Sequence, residues 1–341
     1  MGTPSTRRSE TATPQKKSMK GWAIERFGDV TGKGSLLTLE GLPVPKVERR
    51  DVLIRMHGAE IGDWDGLVAS GEWSVERSFP IVLGLAGSGS VVDFGKDVVG
   101  FEKGDGVYTY SHPLAHRGCP SRHHNGAWAE YMLVPFRRVA LAPTSLDLTH
   151  AGAIPIVGLT AQETLVDILE VERHDIVLIT AAAGGIGHLA VQIAARRGAQ
   201  VIAIARQQHH EFLRDLGAAI VIDYTKEDFV KATRKRFPDG VDKALNGVEG
   251  QTANDVVRTM RSVGHVVDLT GSATEKLPDG RVDTDYVVRP DRVRLAAVAD
   301  MFDRGELKLE IANVVPFANA PSGLGEVMTK HVRGVVVLHV S

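Results

Sequence analysis

The chain has 341 residues, 43% of them hydrophobic, which is enough sequence for two domains that each bury a core. Its 40 basic and 42 acidic side chains give a formal net charge of −2, which argues against binding nucleic acid or an anionic membrane through a broad positive field. The single cysteine, Cys119, excludes an intramolecular disulfide and any zinc site built from several cysteines.

The first part of the chain has little that could be buried. Residues 1–18 are rich in Ser, Thr, Pro and basic side chains, so we expect a disordered tail and a fold that begins near Met19. The chain contains no run of about 18 apolar residues and no apolar stretch typical of a secretory signal. With one cysteine, this pattern predicts a soluble protein of the cytoplasm.

Residues 19–144 have the pattern of irregular β structure. Short runs that alternate apolar and polar residues, such as residues 52–56 and 88–92, are broken repeatedly by Gly, Pro and Asp. Alternation with a period of two is typical of half-buried strands, and these breakers are typical of turns. We therefore predict a β-rich first domain over this stretch.

After about Leu148 the pattern changes to apolar runs of five or six residues separated by helix-length amphipathic segments. Such alternation predicts an α/β fold with a doubly wound parallel sheet, here over residues 145–290. Between the first two runs, apolar residues share one helix face from Ile186 to Ala194, and Gly198 stands where this crossover helix would end. The strands are predicted at residues 176–180, 201–205, 220–224, 241–245 and 265–270.

The last part of the chain is expected to return to the first domain. A helix-like stretch follows about Arg294 and ends at Gly305, and β-like runs follow at residues 309–317 and 335–340. We therefore predict that residues 291–341 join residues 19–144, so that the parallel sheet is an insertion.

A glycine-rich motif, AAAGGIG at residues 181–187, lies directly between a predicted strand and an amphipathic helix. Glycines at such a turn let a pyrophosphate approach the backbone, and the helix N-terminus presents unpaired N–H groups to the phosphates. The alternative is a loop that binds nothing, which the strand–turn–helix context disfavours. The predicted cofactor contacts are Ala183, Gly184, Gly185, Ile186 and Gly187.

Arg206 follows the second predicted strand, where a site that prefers NAD would place Asp or Glu. A guanidinium can pair with a 2′-phosphate, so this residue favours NADPH. Gln207, Gln208, His210 and Tyr224 are further candidate contacts. The alternative is that Arg206 is an ordinary solvated arginine.

Several longer stretches make the chain resemble the medium-chain dehydrogenase/reductase superfamily, and most closely its zinc-independent quinone oxidoreductase-like branch, which includes enone reductases. The resemblance implies a GroES-like catalytic domain that carries a Rossmann domain as an insertion, and it implies a homodimer. The matching stretches are GFEKGDGVY at 100–108, GAWAEY at 126–131, GLTA at 158–161, the motif at 181–187, LGA at 216–218, VIDY at 221–224 and RGVVVL at 333–338.

The resemblance also points away from a metal. Zinc alcohol dehydrogenases of this superfamily carry a catalytic Cys and a Gly-His-Glu segment, but the matching places here hold GDWD at 62–65 and GLAG at 84–87. We therefore expect no zinc. The loop that holds His112, His116, Cys119, His123 and His124 matches no zinc spacing and is expected to be a polar loop at the mouth of the site. A metal site there is the alternative.

The resemblance implies hydride transfer from NADPH to a quinone or to an α,β-unsaturated carbonyl compound (enone). At the matching positions, Thr160 and Thr270 are candidates for holding the nicotinamide, and Asn246 is a further candidate cofactor contact. Relatives carry Asp at the position of Asn246, Asn at that of Gly62 and Lys at that of Val335.

Aromatic side chains are the candidates for the substrate site. Trp64, Tyr108 and Trp128 are expected to form a wall over a flat substrate, with the Tyr108 hydroxyl as oxyanion donor. Core packing is the alternative for these aromatic side chains. A nucleotide-binding structural or RNA-associated protein without catalysis, and a zinc alcohol dehydrogenase, remain the alternative functions.

Overall fold

A computed structural model describes residues 18–28, 37–73, 79–111 and 126–341. The predicted tail lies outside these residues except for Ser18, which begins a strand rather than ending the tail. The His-rich loop at residues 112–124 also lies outside them. Within the described part of the chain, no helix is both long and apolar enough to cross a bilayer.

The first domain is β-rich, as predicted. Its strands are β1 (Ser18–Ile24), β2 (Leu37–Pro43), β3 (Asp51–Ile61), β4 (Ile81–Val82), β5 (Ala86–Phe94), β6 (Gly106–Tyr110), β7 (Tyr131–Pro135) and β8 (Val139–Leu141). β3 is the longest of them, and it pairs antiparallel with both β5 and β7. Nine of its 11 residues are buried, which makes β3 a central strand of the core. Sequence reasoning missed the helix that follows it, α1 (Asp63–Ser70).

Two short helices, α2 (Leu148–Ala151) and α3 (Pro155–Gln162), lead into the second domain. Its parallel sheet has the order β11-β10-β9-β12-β13-β14. The strands are β9 (Ile176–Ile179), β10 (Gln200–Ile204), β11 (Ile220–Ile222), β12 (Val241–Asn246), β13 (Met260–Asp268) and β14 (Arg281–Asp283). The helices are α4 (Gly185–Arg196), α5 (His210–Asp215), α6 (Phe229–Arg236) and α7 (Gln251–Thr259).

The doubly wound Rossmann sheet confirms the predicted fold class. Strand order turns back beside β9, and such a reversal opens a crevice at the carboxyl ends of the strands. Most strand limits differ from the prediction by one or two residues, and one differs by five. β13 starts at Met260 instead of residue 265, because Met260 already pairs with Val241, and β11 ends at Ile222, so Tyr224 lies beyond the strand.

The end of the chain returns to the first domain. It contains α8 (Arg292–Asp303), β15 (Ile311–Pro316), α9 (Ala320–Met328) and β16 (Val335–His339). β16 pairs antiparallel with β3 in a sheet of order β15-β16-β3-β5-β6-β8. Residues separated by most of the chain thus share one sheet, while the domain limits at residues 144 and 290 stay a prediction.

Candidate active site

A cleft of about 1270 Å³ lies between the two domains. On one side it follows the carboxyl ends of β9, β10, β12 and β13, and on the other it follows the ends of β3 and β6. One continuous space therefore joins the glycine-rich loop to a cluster of aromatic side chains. This is the position at which doubly wound sheets bind their ligands.

The predicted glycine-rich loop lines this cleft from Ala183 to Gly187. Gly187 packs against the end of β9, since a Cβ at this position would lie 2.3 Å from the Ala181 carbonyl oxygen. Gly184 has space around it, because a Cβ there would meet only the same oxygen, at 3.3 Å. One glycine therefore allows close packing of α4 on the strand, and the other keeps the loop backbone accessible from the cleft.

The rest of the protein holds this loop in place. The Gly334 N–H donates to the Ala183 carbonyl over 2.8 Å. The buried His188 ring lies 2.9 Å from the Gly184 carbonyl through Nδ1 and 3.3 Å from the Glu310 N–H through Nε2. A ring that donates through Nδ1 and accepts through Nε2 satisfies both contacts. Sequence reasoning did not identify His188, because its second partner lies 122 residues away.

Arg206 lines the outer part of the cleft. Its Nε–H donates to the Tyr224 hydroxyl over 3.0 Å, and Nη2 donates to His331 Nε2 over 2.6 Å. Both partners accept hydrogen bonds from the guanidinium without neutralising its charge. Tyr224 was predicted to lie here, whereas His331 comes from the segment between α9 and β16 and was not predicted.

Gln207 does not line the cleft, which corrects one prediction. Its backbone N–H donates to Asp223, and its side-chain oxygen accepts from Lys226 over 2.8 Å. These bonds hold the residue against the segment that follows β11. Gln208, which was also predicted, lines the cleft, and so does His209, which was not.

Of the predicted cofactor contacts Thr160, Thr270 and Asn246, two line the cleft and one does not. Thr160 and Thr270 line the cleft, and the Thr270 hydroxyl donates to Asp268 over 2.8 Å. Asn246 is fully buried behind the lining and does not reach it. Its amide donates to Asp268 and to the Val248 carbonyl, and its oxygen accepts from Thr180. The prediction that Asn246 contacts the cofactor is thus corrected, because these contacts satisfy it within the protein.

Trp64 lines the cleft as predicted. Its indole lies directly over Gly62, where a Cβ would come within 2.0 Å of the ring. The absence of a side chain at position 62 therefore makes room for the indole. Trp64 Nε1 is buried and has no hydrogen-bond partner within the described residues.

Tyr108 and Trp128 do not line the cleft, which corrects two predictions. Both are fully buried. The Tyr108 hydroxyl donates to the Leu295 carbonyl of α8, and Trp128 Nε1 donates to the Glu60 carbonyl over 3.1 Å. These side chains fix α8 and β3 from within the core, and the Tyr108 hydroxyl is bonded there rather than facing the cleft.

Two other tyrosines occupy the inner cleft. Tyr110 stands two residues after Tyr108 at the end of β6, and Tyr286 donates its hydroxyl to Glu163 over 2.9 Å. Burial raises the pKa of both hydroxyl groups, so they stay neutral at physiological pH. Strand alternation alone does not distinguish Tyr108 from Tyr110, because both lie on the same face of β6.

Two buried carboxyl groups lie near the inner cleft. Glu60 lines it, while Asp65 joins two loops by accepting the Gly62 N–H over 3.0 Å and the Gly84 N–H over 3.1 Å. Burial raises the pKa of Glu60 well above its ordinary value and raises the pKa of Asp65 to about 7. Glu60 was not predicted, although a lone carboxyl between the apolar Ala59 and Ile61 is a visible departure from the strand pattern.

Asp65 also connects the two segments that match the zinc-binding segments of zinc alcohol dehydrogenases. It ties GDWD at 62–65 to GLAG at 84–87 by hydrogen bonds from the backbone. Across residues 18–28, 37–73, 79–111 and 126–341, no cluster of three His, Cys, Asp or Glu side chains could hold a metal. The expectation of a zinc-free protein stays a prediction, since the His-rich loop lies outside these ranges.

Comparison with known proteins supports the same architecture. A family model described as an alcohol dehydrogenase GroES-like domain matches residues 48–144, and one described as a zinc-binding dehydrogenase matches residues 185–293. Among solved structures, the quinone oxidoreductase from Coxiella burnetii superposes with a TM-score of 0.83 at 27% identity. That superposition covers 95% of this chain and 100% of the other.

Two curated plant proteins are similar over most of their length. The chloroplastic NADPH-dependent alkenal/one oxidoreductase of Arabidopsis thaliana is 30% identical over 329 residues, which cover 95% of this chain and 80% of the relative. The 2-methylene-furan-3-one reductase of Solanum lycopersicum is 31% identical over 328 residues, which cover 94% and 79%. Together with the fold, these matches show that the chain belongs to the medium-chain dehydrogenase/reductase superfamily of oxidoreductases.

Proposed function

We propose that this protein reduces quinones or α,β-unsaturated carbonyl compounds with NADPH, without a metal. The observation that carries the proposal is the single cleft that runs from Arg206, past the glycine-rich loop, to an apolar aromatic pocket. The similarity to relatives named for NADPH and for alkenal or quinone substrates supports the same function.

The outer cleft suits a dinucleotide with a 2′-phosphate. The accessible face of Gly184 leaves space for a pyrophosphate beside the N-terminus of α4, and Arg206 supplies a positive charge at the end of β10. Tyr224 and His331 orient the guanidinium from two sides. When bound, NADPH would supply the hydride, while Thr160 and Thr270 lie deeper in the cleft, where they would hold its nicotinamide.

The inner cleft suits a flat, electron-poor acceptor. Trp64, Leu85, Ile156, Tyr110 and Tyr286 line it, so most of its surface is aromatic or aliphatic. Such a surface excludes water and holds a planar group near the nicotinamide. The indole N–H of Trp64, which has no partner among the described residues, can donate to a carbonyl oxygen of the acceptor.

The test is a panel of enones, quinones and saturated ketones assayed with NADPH. We expect oxidation of NADPH with enones or quinones and none with the saturated ketones, because only the former accept hydride in conjugation with a carbonyl. NADPH deuterated at the transferred position should label the β-carbon of the enone. Label at the α-carbon, or no consumption of NADPH with any acceptor, would overturn the proposal and favour a nucleotide-binding protein without catalysis.

A further inference from the structure

We propose that Glu60 is the acid that donates a proton to the carbonyl oxygen of the acceptor during hydride transfer, an inference that rests on the proposed function. Glu60 is the second-last residue of β3, and it lines the cleft although its side chain is almost completely shielded from solvent. A carboxyl group in this position needs an explanation, because burial of an unpaired charge is costly.

The two oxygens of Glu60 have different surroundings. Oε2 accepts the Ile156 N–H, at the start of α3, over 3.0 Å. Oε1 is buried and has no hydrogen-bond partner within the described residues. One oxygen is therefore held by the protein, while the other is left for a proton and for a ligand in the cleft.

The backbone around Glu60 is rigid. Its carbonyl accepts the Trp128 indole N–H over 3.1 Å, and the residue pairs with Val337 of β16 across the sheet. With Oε2 also held by α3, the carboxyl group has little freedom to turn away from the cleft. A fixed donor of this kind stabilises developing charge without reorganisation during the reaction.

The surroundings of Glu60 act on its charge in opposite directions. Burial and the nearby Asp65 favour the neutral form, whereas the Ile156 and Val157 N–H groups favour the charged form. Asp65 of α1 acts on it with a like charge, and Tyr110 of β6 is a neutral hydroxyl beside it. The groups that interact most strongly with Glu60 include no cation. Burial, the largest effect, raises the pKa of Glu60 well above its ordinary value and so favours the protonated carboxyl.

The proposed step adds one hydride and one proton to the acceptor. As hydride forms the new C–H bond at the β-carbon, the electron pair of the C=C bond moves into the carbonyl group and charge develops on its oxygen. The O–H bond of Glu60 breaks and the proton forms an O–H bond on that oxygen, which leaves an enol and a Glu60 carboxylate. The enol rearranges to the saturated ketone, and Glu60 regains a proton from water. With a quinone, the hydride and the Glu60 proton give a hydroxydienone, whose new CH2 group then loses a proton to water while the second carbonyl oxygen gains one, which yields the hydroquinone.

The variant Glu60→Gln tests this step. Its amide oxygen can still accept the Ile156 N–H, but the amide cannot release a proton. We expect turnover of an enone to fall about a hundredfold to ten-thousandfold, the usual contribution of a general acid. The affinity for NADPH and the melting temperature should stay close to wild type.

A purely structural role would give a different result. In that case Glu60→Gln would keep wild-type turnover, or would lose stability and turnover together. The pH profile separates these possibilities even if the variant is unstable. Wild-type turnover should decrease at high pH as Glu60 ionises. That decrease should persist in the control Asp65→Asn but move to lower pH, because this variant removes the neighbouring carboxyl whose like charge raises the pKa of Glu60. A decrease that disappears in Asp65→Asn would overturn the assignment.

A readout without catalysis is ¹³C-NMR of the protein labelled at its glutamate carboxyl carbons. One resonance should titrate far above the others in the free protein and be missing in Glu60→Gln. A glutamate spectrum with no such resonance would overturn the proposal for Glu60. If wild-type protein reduces no acceptor, the proposed function fails instead, whatever the spectrum shows.

Discussion

Arg206 is the residue on which the proposed choice between NADPH and NADH depends. Replacing it with Ala removes a charged partner of the 2′-phosphate, which should cost about 1.5 to 3 kcal/mol. The affinity for NADPH should therefore fall roughly tenfold to 150-fold, while that for NADH changes little. Calorimetric titration of both cofactors measures this.

The matched control is Arg304→Ala, which removes an exposed arginine that pairs with Glu306 away from the cleft. It should leave both affinities unchanged. Equal affinities for the two cofactors in the wild type, or an unchanged preference in Arg206→Ala, would contradict the role of Arg206.

For Tyr108 the structure leads us to predict an effect on the stability of the fold and none on catalysis. In Tyr108→Phe the Leu295 carbonyl loses a buried donor, which should destabilise the fold by about 1 to 3 kcal/mol. Turnover at a temperature where the variant is folded should match the wild type. Thermal melting and steady-state kinetics on the same samples measure both quantities. A loss of turnover of about a hundredfold, the lower end for a lost oxyanion donor, at unchanged melting temperature would restore the expectation that Tyr108 is an oxyanion donor.

At the scale of secondary-structure elements, the turn between β9 and α4 needs glycine for two reasons: Gly187 packs closely against the strand, and Gly184 leaves space at the cleft. Gly187→Ala places a methyl group 2.3 Å from the Ala181 carbonyl oxygen, so α4 must move away from the sheet. We expect this variant to lose stability. Gly184→Ala has an ordinary extended backbone and meets only one atom at 3.3 Å, so it should fold like the wild type.

The added methyl group in Gly184→Ala still occupies the face that a pyrophosphate would approach. Its affinity for NADPH should fall about tenfold or more, which corresponds to about 1.4 kcal/mol. Melting temperatures without cofactor and titrations with it distinguish the two variants. An unstable Gly184→Ala, or one that binds NADPH normally, would show that the loop does not face the phosphates.

At the scale of the whole molecule, the two segments that would hold zinc are instead joined by Asp65. We expect purified protein to contain no stoichiometric zinc and to keep its activity after treatment with a chelator, because neither segment offers Cys or His. Elemental analysis before and after chelation measures this. One zinc per chain that is lost together with activity would assign a metal to the His-rich loop.

The homodimer and the cytoplasmic location also stay predictions. Light scattering tests whether the protein is a homodimer.

Local features of the chain could be predicted because residues close in sequence determine them. Hydrophobic periodicity identified the parallel sheet, and the glycine-rich motif identified the turn after β9. Arg206 was recognised by its place after a strand. The return of the last strand was also predicted, and its pairing with β3 confirms it.

The inner cleft depends on contacts between distant parts of the chain. Alternation places Tyr108 and Tyr110 on one face of β6, but only packing against α8 buries the first and leaves the second at the cleft. Glu60 meets Ile156 across 96 residues, and Arg206 meets His331 across 125. The sequence by itself determined the β-rich domain, the parallel sheet and the glycine-rich loop, because periodicity and turn chemistry are local. Only the tertiary structure decided which side chains face the acceptor, because the pairing of β3 with β16 and the docking of α3 and α8 set their positions.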